Sequence, residues 1–385
     1  MTNCLYNEDA YLHSFTARVM EAVSLADGRF DIVLDRTAFF PEQGGQTADT
    51  GTLNGEVRVL DAQIRDGIVH HLCDAPLPVG EAVRGELDFE RRFSHMQQHT
   101  GEHILSGICA AAYGCRNVGF HLSDHIVTVD YDKPLTPDML DELEERANRA
   151  VWANLPVRCW YPTREEAERL EYRSKKEIAD RLRIVSIPGV DDCACCAPHV
   201  RATGEVGLIK IMSAARYKGG VRLTILCGRR TLLAVRTGLR RLDALCRKMT
   251  CGEEELTQVL EKRDAELREA KLRAAQLEGE LLCREADDAR KRGERLLRVG
   301  GADMQAMLRA VDRLSGGADL AGVFAGNDEA GYTFCLTGGQ GLKEAFAAFR
   351  TAVGAQGGGD AQLIRGRCAA PWQAIASFFE NVQGA

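Results

Sequence analysis

Two groups of histidine and cysteine residues, far apart in the chain, place the strongest constraint on its fold. His95, His99 and His103 recur at every fourth position. On a helix with about 3.6 residues per turn, residues at this spacing share one face, so a neighbouring pair of them can hold one metal ion. The second group, from Cys193 to His199, contains three cysteines and that histidine within seven residues. If both groups bind the same ion, the fold must bring a helix and a distant loop together.

Each group alone also has an ordinary explanation, either as packed or solvated helix histidines or as a buried cysteine cluster. Together they supply imidazole and thiolate ligands from two directions, and zinc prefers that combination. The sequence therefore predicts a Zn²⁺ site that combines a pair of the helix histidines with His199 and one of the three thiolates, Cys193, Cys195 or Cys196.

The 385 residues are too many for one compact core and predict a multidomain α+β protein. Short strands and a glycine-rich turn predict a small β-barrel-like domain over residues 1–90. An α+β domain follows over residues 91–228, and it begins with a helix from Phe93 to about Ala112 that has Ser94 as its N-cap. Its last elements are two strands joined by a Lys-Gly-Gly turn that starts at Lys218.

The remaining residues predict a helical part and a final small domain. Leucines and alanines between Leu256 and Leu281 follow the heptad spacing, which indicates a coiled coil or an antiparallel helical hairpin over residues 229–299, broken near Cys251. Residues 300–385 alternate helix and strand patterns and predict a small C-terminal α/β domain with a glycine run at 357–359.

Charge and composition narrow the class of protein. The net charge of -7 argues against binding to a polyanion such as RNA. However, seven basic residues and a single acid lie between Arg229 and Lys248. This basic stretch could bind the phosphates of an RNA backbone or form a solvated helix face. The fourteen cysteines indicate a reducing compartment. Because no apolar run approaches the ~20 residues of a membrane span and the first residues do not resemble a signal peptide, we expect a cytoplasmic protein.

Four segments carry a resemblance to a known family. His99-Thr-Gly-Glu-His103 resembles the HxxxH motif, and Cys195-Cys-Ala-Pro-His199 the CxxxH motif, of the editing domain of alanyl-tRNA synthetases. The segment from Thr37 to Gln46 is similar to the glycine-rich part of the β domain that precedes editing in that family, and residues 218–222 fall where the editing domain closes. The chain departs from the family in one place, because Cys196-Ala-Pro replaces the usual Gly-Gly-Thr.

The resemblance covers nearly the whole chain and implies a function. The residues ahead of the β domain are too few for an aminoacylation domain, so we expect a free-standing editing hydrolase of the long form, whose last part resembles the DHH-associated C-terminal domain. It implies that Zn²⁺ is bound by His99, His103, Cys195 and His199, with Cys193 and Cys196 as neighbouring or alternative ligands and with His95 either beside the metal or solvated. It also implies zinc-dependent deacylation, in trans, of tRNA(Ala) mischarged with serine or glycine. The heptad pattern adds a homodimer through the C-terminal half as an expectation. Two alternatives remain, a zinc-stabilised tRNA-binding protein without activity and a deacylase of another mischarged tRNA.

Further polar residues are candidates for the substrate site. Thr100, Gln98 and His121 lie beside the helical ligands or in the following turn, where they could contact the serine hydroxyl or belong to the scaffold. A second set is expected to contact tRNA, although the glycines could simply form a tight turn. The tRNA-binding candidates are Gly44, Gly45, Gln46, Lys218, Arg222, Arg229 and Arg230.

Overall fold

The computed structural model describes residues 1–174, 182–318 and 320–383. The chain separates into two compact units, Met1–Leu242 and Asp243–Ala385. Within the described residues, no helix has both the length and the apolar character needed to cross a membrane. Helices and sheets occur in both units, so the predicted mixed α+β architecture is confirmed.

Unit 1 begins with a small β-barrel. Alternate residues of its strands are buried, as Phe15, Ala17 and Val19 are in the second strand, because one face of a closed sheet must fill the interior. The strands of this region are β1 (Asn3–Cys4), β2 (Ser14–Ser24), β3 (Phe30–Leu34), β4 (Arg36–Thr37), β5 (Gly51–Leu53), β6 (Val57–Arg65), β7 (Ile68–Cys73) and β8 (Ala82–Leu87). Of these, β1 and β4 form a separate two-stranded sheet. The barrel closes in the order β2-β3-β7-β6-β5-β8, which confirms the predicted barrel-like domain.

A long helix follows the barrel and is surrounded by two small sheets. The elements are α1 (Phe89–Tyr113), β9 (Asn117–Leu122), β10 (Val127–Tyr131), α2 (Pro137–Trp152), β11 (Arg158–Trp160), α3 (Arg164–Arg169), β12 (Ile184–Ile187), β13 (Asp191–Ala194), β14 (Ile209–Tyr217), β15 (Gly220–Cys227) and α4 (Gly228–Met249). One sheet has the order β14-β15-β10-β9 and the other β11-β12-β13. Helix α1 is buried along most of its length because it contacts β9, β13, β15 and α2.

The N-terminus of α1 differs from the sequence prediction. The cap is Asp88, whose side chain accepts a hydrogen bond from the Arg91 amide, and the helix ends at Gly114 in the left-handed conformation (φ 60°). Ser94, the predicted cap, lies inside the helix and accepts a hydrogen bond from Nε of Arg230 at 2.8 Å. The prediction was wrong because the helix pattern becomes regular only one turn after the true start, where Asp88 is the better placed capping residue.

A buried ion pair joins α1 to the barrel. Arg92 and Asp49 are 0% and 1% exposed, and Nε of Arg92 lies 3.0 and 2.9 Å from the two carboxylate oxygens. The same guanidinium donates to the carbonyl oxygens of Ala10 and Ala38, while the amide of Phe40 donates to Asp49. Both the guanidinium and the carboxylate therefore have hydrogen-bond partners besides each other, as a buried charge requires. The ion pair holds the loop between β4 and β5 against α1.

Unit 2 contains a five-stranded sheet with helices packed on it. Its elements are α5 (Leu256–Lys291), β16 (Leu296–Val299), α6 (Met304–Ser315), β17 (Leu320–Asn327), β18 (Gly331–Gly338), α7 (Leu342–Val353), β19 (Gln356–Gly359), β20 (Leu363–Cys368) and α8 (Trp372–Gln383). The sheet order is β16-β17-β18-β20-β19. The predicted helical run to residue 299 ends earlier, because Gly293 (φ 83°) follows the helix and lets the chain turn into β16.

The apolar residues of the predicted coiled coil are mostly exposed. Helix α5 buries only residues from Gly279 onwards, which lie where it packs on α6. Leu260, Leu267 and Leu277 are exposed. Coiled-coil pairing and a homodimer through this half therefore remain predictions.

Breaking the Arg92–Asp49 pair should destabilise unit 1. We expect Arg92→Met and Asp49→Asn each to lower the free energy of unfolding by about 3–5 kcal/mol, because each leaves a buried polar partner unmatched. The double variant should cost less than the sum of the two. Urea unfolding followed by fluorescence of Trp152 and Trp160, in a Trp372→Phe background, measures this.

The exposed Arg29–Asp27 pair provides the matched control. Arg29→Met should leave the unfolding midpoint unchanged within error, because a solvated ion pair contributes little. Strictly additive losses in the Arg92 and Asp49 variants would contradict the coupling between these two residues.

Candidate metal centre

The structure brings the four predicted ligands together. Helix α1 presents His99 and His103 on its buried face, and the loop after β13 supplies Cys195 and His199. The ligand atoms of these residues all lie within 4.8 Å of one another. The three histidines are buried and Cys195 is partly exposed. One ion can therefore contact all four side chains with little movement.

The distances that involve Cys195 fit a tetrahedral ion. Its Sγ lies 3.5 Å from Nε2 of His99 and 3.4 Å from Nε2 of His199. Zinc bonds of about 2.0–2.3 Å place the ligand atoms of a tetrahedron roughly 3.3–3.7 Å apart. Three imidazoles and one thiolate also suit zinc chemically. The residues present thus fit the metal that the sequence predicts.

A hydrogen bond at the far nitrogen supports each imidazole. Nδ1 of His99 donates to Oε1 of Gln46 at 2.8 Å, and Nδ1 of His103 donates to the Asp191 carboxylate at 3.0 Å. Nδ1 of His199 lies 3.0 Å from Oγ1 of Thr100. With the proton on Nδ1, the lone pair of Nε2 is free for a metal. Such partners fix the tautomer and the ring orientation of metal-binding histidines.

Asp191 is the one charged residue among the three hydrogen-bond partners of the imidazoles. Arg173 donates to both of its oxygens, at 2.6 and 2.7 Å. Burial alone would raise the pKa of Asp191, but the hydrogen bonds from His103 and Arg173 lower it, so the carboxylate stays ionised. Burial and the neighbouring His103 and His99 lower the pKa of His199 well below its ordinary value. Its ring is neutral at pH 7, as a metal ligand must be.

Asp191 also belongs to a second group of potential ligands, with His103 and Cys193. Its carboxylate already accepts the Nδ1 proton of His103 and is paired with Arg173. Burial raises the pKa of the Cys193 thiol, despite the nearby cations, which favours the neutral form. The group is therefore better explained as support for His103 than as a separate metal site.

The loop that carries Cys195 is held by a buried arginine. Nη1 of Arg183 donates to the carbonyl oxygens of Cys195 and Ala197 at 2.8 and 2.9 Å. The sulfur of Cys195 lies within 4.8 Å of the three histidine ligand atoms, while both Cys195 and Cys196 border the apolar cluster of Tyr6, Phe40 and Ala197. Among the three clustered cysteines, the structure therefore brings Cys195 to the three histidines.

The glycine-rich segment of the barrel reaches the cluster. Gly45 accepts a hydrogen bond from the Leu122 amide at 2.7 Å, and a Cβ at Gly45 would lie 2.3 Å from the carbonyl oxygen of Phe120. Only glycine permits this close contact with β9. The next residue, Gln46, is fully buried and touches His99. These contacts explain Gly45 and Gln46 without RNA, whereas a Cβ at Gly44 would lie 4.0 Å from the sulfur of Cys196, an ordinary van der Waals contact.

The three pocket candidates lie in different surroundings in the structure. Thr100 lies behind His199 and also accepts from the Val200 amide. Gln98 uses both ends of its amide on the backbone of Cys227, so it belongs to the scaffold. His121 is exposed and, since side chains alternate along a strand, it faces away from its neighbour Phe120.

Phe120 is a site residue that sequence reasoning missed, since its ring centroid lies 4.8 Å from that of His99. Gln46 was proposed only for RNA contact, and Asp191 was left without a role although it lies next to the cysteine cluster. The signal for Asp191 was its position four residues before Cys195, which places it on the strand that leads into the ligand loop.

The other predicted tRNA contacts, beyond the barrel loop, fall in two places. Lys218 and Arg222 lie at the β14–β15 hairpin, where Arg222 pairs with Asp130 and stacks on Tyr217. Arg229 and Arg230 lie in the first turn of α4, and Arg229 is exposed. Contact with RNA at these residues remains a prediction.

Comparisons with known proteins agree with this arrangement. Residues 7–91 match the family model of class II (A) tRNA synthetases, and residues 182–242 match that of the threonyl and alanyl tRNA synthetase second additional domain. An alanine–tRNA ligase of Pyrobaculum neutrophilum is 34% identical over 95% of this chain and 42% of its own length. The chain spans less than half of this ligase.

Two shorter relatives carry a more specific name. The alanyl-tRNA editing protein Aarsd1 of Rattus norvegicus is 30% identical over 67% of this chain and 66% of its own length. The alanyl-tRNA editing protein AlaX-L of Pyrococcus horikoshii is 32% identical over 62% of this chain and 61% of its own length. The fold and the matches therefore define a protein of the tRNA synthetase editing class. Within that class, the chain belongs to the alanyl-tRNA editing family.

The two neighbouring cysteines should respond differently to substitution. We expect Cys195→Ser to lower Zn²⁺ affinity at least tenfold, because a thiolate ligand is lost. Cys196→Ser should still bind one equivalent. Titration with Co²⁺ separates the variants, since only a bound thiolate gives a strong sulfur-to-metal charge-transfer band. Loss of that band in Cys196→Ser but not in Cys195→Ser would reverse the assignment.

The Zn²⁺ affinity of the site should depend on Gln46, a residue of the barrel domain. Gln46→Leu removes the acceptor for Nδ1 of His99, and we expect it to weaken Zn²⁺ binding about 10–100-fold. The control is Gln43→Leu on the same loop, where the side chain is exposed. Competition with a chromophoric chelator measures both affinities, and equal affinities in the two variants would contradict the role of Gln46.

Proposed function

We propose that this protein hydrolyses the ester of mischarged tRNA(Ala), with Ser-tRNA(Ala) as its main substrate and Gly-tRNA(Ala) as a second one, and that it does so with Zn²⁺ held by His99, His103, Cys195 and His199. One observation carries the proposal, the convergence of three supported imidazoles on one cysteine sulfur. Membership of the alanyl-tRNA editing family supports the substrate.

The reaction has a physical rationale. A synthetase pocket that accepts alanine rejects glycine weakly, because one methyl group contributes only about 1–3 kcal/mol of discrimination, and it rejects the added hydroxyl of serine poorly. A second site that cleaves the wrong products restores accuracy. The bond to be broken is the ester between the amino acid and the terminal ribose. Water adds to the carbonyl, and the ribose hydroxyl leaves with a proton.

The zinc ion, when bound, supplies positive charge that can orient the aminoacyl group or polarise the attacking water. The protein contributes rigidity to this site. Gln46, Asp191 and Thr100 keep the imidazoles in one orientation, so no reorganisation of the rings is needed when substrate arrives. The ring of Phe120 against His99 forms an apolar wall beside the cluster.

Cys195 defines the accessible side of the cluster. The three histidines are buried, whereas Cys195 is partly exposed. We place the aminoacyl group on this side, near the loop Cys195–His199. If zinc is bound, Cys195 would be the ligand nearest to the aminoacyl group, because it is the partly exposed member of the four.

A deacylation assay tests the proposal. Zinc-loaded protein should release serine from Ser-tRNA(Ala) and glycine from Gly-tRNA(Ala), and should leave Ala-tRNA(Ala) and Ser-tRNA(Ser) intact. His103→Ala should abolish both stoichiometric zinc and activity, because it removes a buried ligand. Release of radiolabelled amino acid measures the activity, and metal analysis of the purified protein measures the bound zinc.

The matched control is His70→Ala on the barrel, where the histidine pairs with Asp31 outside the cluster. It should keep both zinc and activity. Full activity of His103→Ala without zinc would remove the metal from the mechanism. Cleavage of a different charged tRNA would make the substrate wrong, and tight tRNA binding without hydrolysis of any charged species would leave a zinc-stabilised binding protein.

A further inference from the structure

The face of α1 that carries the metal ligands continues towards the start of the helix. Arg91, His95 and His99 follow one another at four-residue steps. With a rise of about 1.5 Å per residue, Arg91 lies about 12 Å from His99 along the helix. Ser123 and Asp124, between β9 and β10, and the first turn of α4 border this end of the face.

Two arginines meet there. Nε of Arg91 donates to Asp124 at 2.7 Å, and the same guanidinium contacts Ala48 and Thr47. Arg230 is anchored by Ser94, through Nε at 2.8 Å, and by the carbonyl oxygen of Ser123, through Nη1 at 2.6 Å. Within the described part of the chain, Arg230 has no carboxylate at ion-pair distance. Its Nη2 donors are not used by these contacts.

This group of residues has an excess of positive charge. His95 is fully buried, and burial together with Arg91 and Arg230 lowers its pKa to about 4, so its ring is neutral at pH 7. Two guanidinium cations therefore face one carboxylate, that of Asp124. The first turn of α4 contains no acid, and the positive end of its dipole adds to the excess. Partly buried positive charge of this kind is stabilised by an anion.

We propose that Arg91 and Arg230 bind a backbone phosphate of the nucleotides next to the aminoacylated 3′ end of the RNA, and that Asp124 occupies the phosphate's place on Arg91 in the free protein. The proposal rests on the proposed function, since it needs an RNA substrate at the metal cluster. Guanidinium groups match the geometry of phosphate oxygens.

The distance between the two sites suits a short RNA segment that crosses the surface beside Ser123 and Asp124, because the face of α1 between Arg91 and His99 is itself buried. A stacked strand advances about 3.4 Å per nucleotide, so a few nucleotides cover the distance from His99 to Arg91. Asp124 can give way, because its side chain is 47% exposed and lies on a surface turn. Residues of α1 would thus contact both the aminoacyl ester, at His99, and the phosphate, at Arg91.

Two substitutions should have opposite effects. Arg230→Gln removes the cation without a carboxylate partner, and Asp124→Asn removes the competing carboxylate. The probes are a hairpin RNA of the tRNA(Ala) acceptor stem that ends in the single-stranded ACCA sequence, and the same hairpin without those four nucleotides. Fluorescence anisotropy with the zinc-loaded full chain gives the Kd at several salt concentrations.

For the complete hairpin, we expect Arg230→Gln to raise the Kd about three- to tenfold and to lower the salt dependence by roughly one phosphate contact. Asp124→Asn should lower the Kd by a similar factor. For the truncated hairpin, both variants should bind as the wild type does. Arg230→Lys keeps the charge and should recover part of the affinity.

Arg29→Gln and Asp27→Asn, on the distant barrel turn, are the matched controls and should not change either Kd. Equal effects of Arg230→Gln on both hairpins would overturn the assignment to the 3′ end, and unchanged affinities would overturn the site. If the wild type binds the complete hairpin with these variant effects but cleaves no mischarged tRNA, the proposed function fails while the phosphate site stands.

Discussion

The ion pair between Arg92 and Asp49 determines how the rest of unit 1 is assembled. Both residues are buried, and the pair fixes the loop between β4 and β5 against α1. That loop carries Gln46, which supports His99, and Gly45, which packs on β9. A barrel residue therefore sets the orientation of a ligand on α1. Together with the Gly45–Leu122 and Arg91–Ala48 hydrogen bonds, the pair defines the geometry between the barrel and the metal cluster.

The cluster itself illustrates how a buried polar site is stabilised. Each histidine uses Nδ1 for a protein partner, so that Nε2 can serve as a metal ligand. The supporting groups are an amide, a hydroxyl and a carboxylate, and only the carboxylate carries charge, which Arg173 balances. Few unpaired charges are thus introduced into the interior, because buried charge without a partner is costly.

Much of this arrangement could be predicted from local patterns. The four-residue spacing placed His99 and His103 on one helix face, and the dense cysteine segment pointed to Cys195 and His199 as the other half. The Lys-Gly-Gly turn gave the β14–β15 hairpin, with Lys218 and Gly219 in the left-handed conformation. Such features depend on residues close in sequence, where periodicity and turn chemistry are informative.

The residues that sequence reasoning missed depend on tertiary contacts. Gln46 and His99 are 53 residues apart in the sequence, and Asp191 and His103 are 88 residues apart. No periodic pattern in the sequence predicts contacts between residues so far apart. In unit 2, the glycine run at 357–359 forms β19, an edge strand paired with β20, which the sequence did not predict. Short glycine-rich strands carry little propensity signal, so their existence is decided by the neighbouring strand.

The wide separation of the ligands also has a consequence for the order of folding. Gln46, the α1 histidines and Cys195 come from three distant parts of the chain, and contacts across long loops form late because closing such loops costs entropy. During synthesis, α1 leaves the ribosome well before the loop that contains Cys195 and Cys196. Until that loop docks, its thiols stay open to oxidation or to the wrong metal. Loading with zinc would then mark the moment at which unit 1 has finished folding.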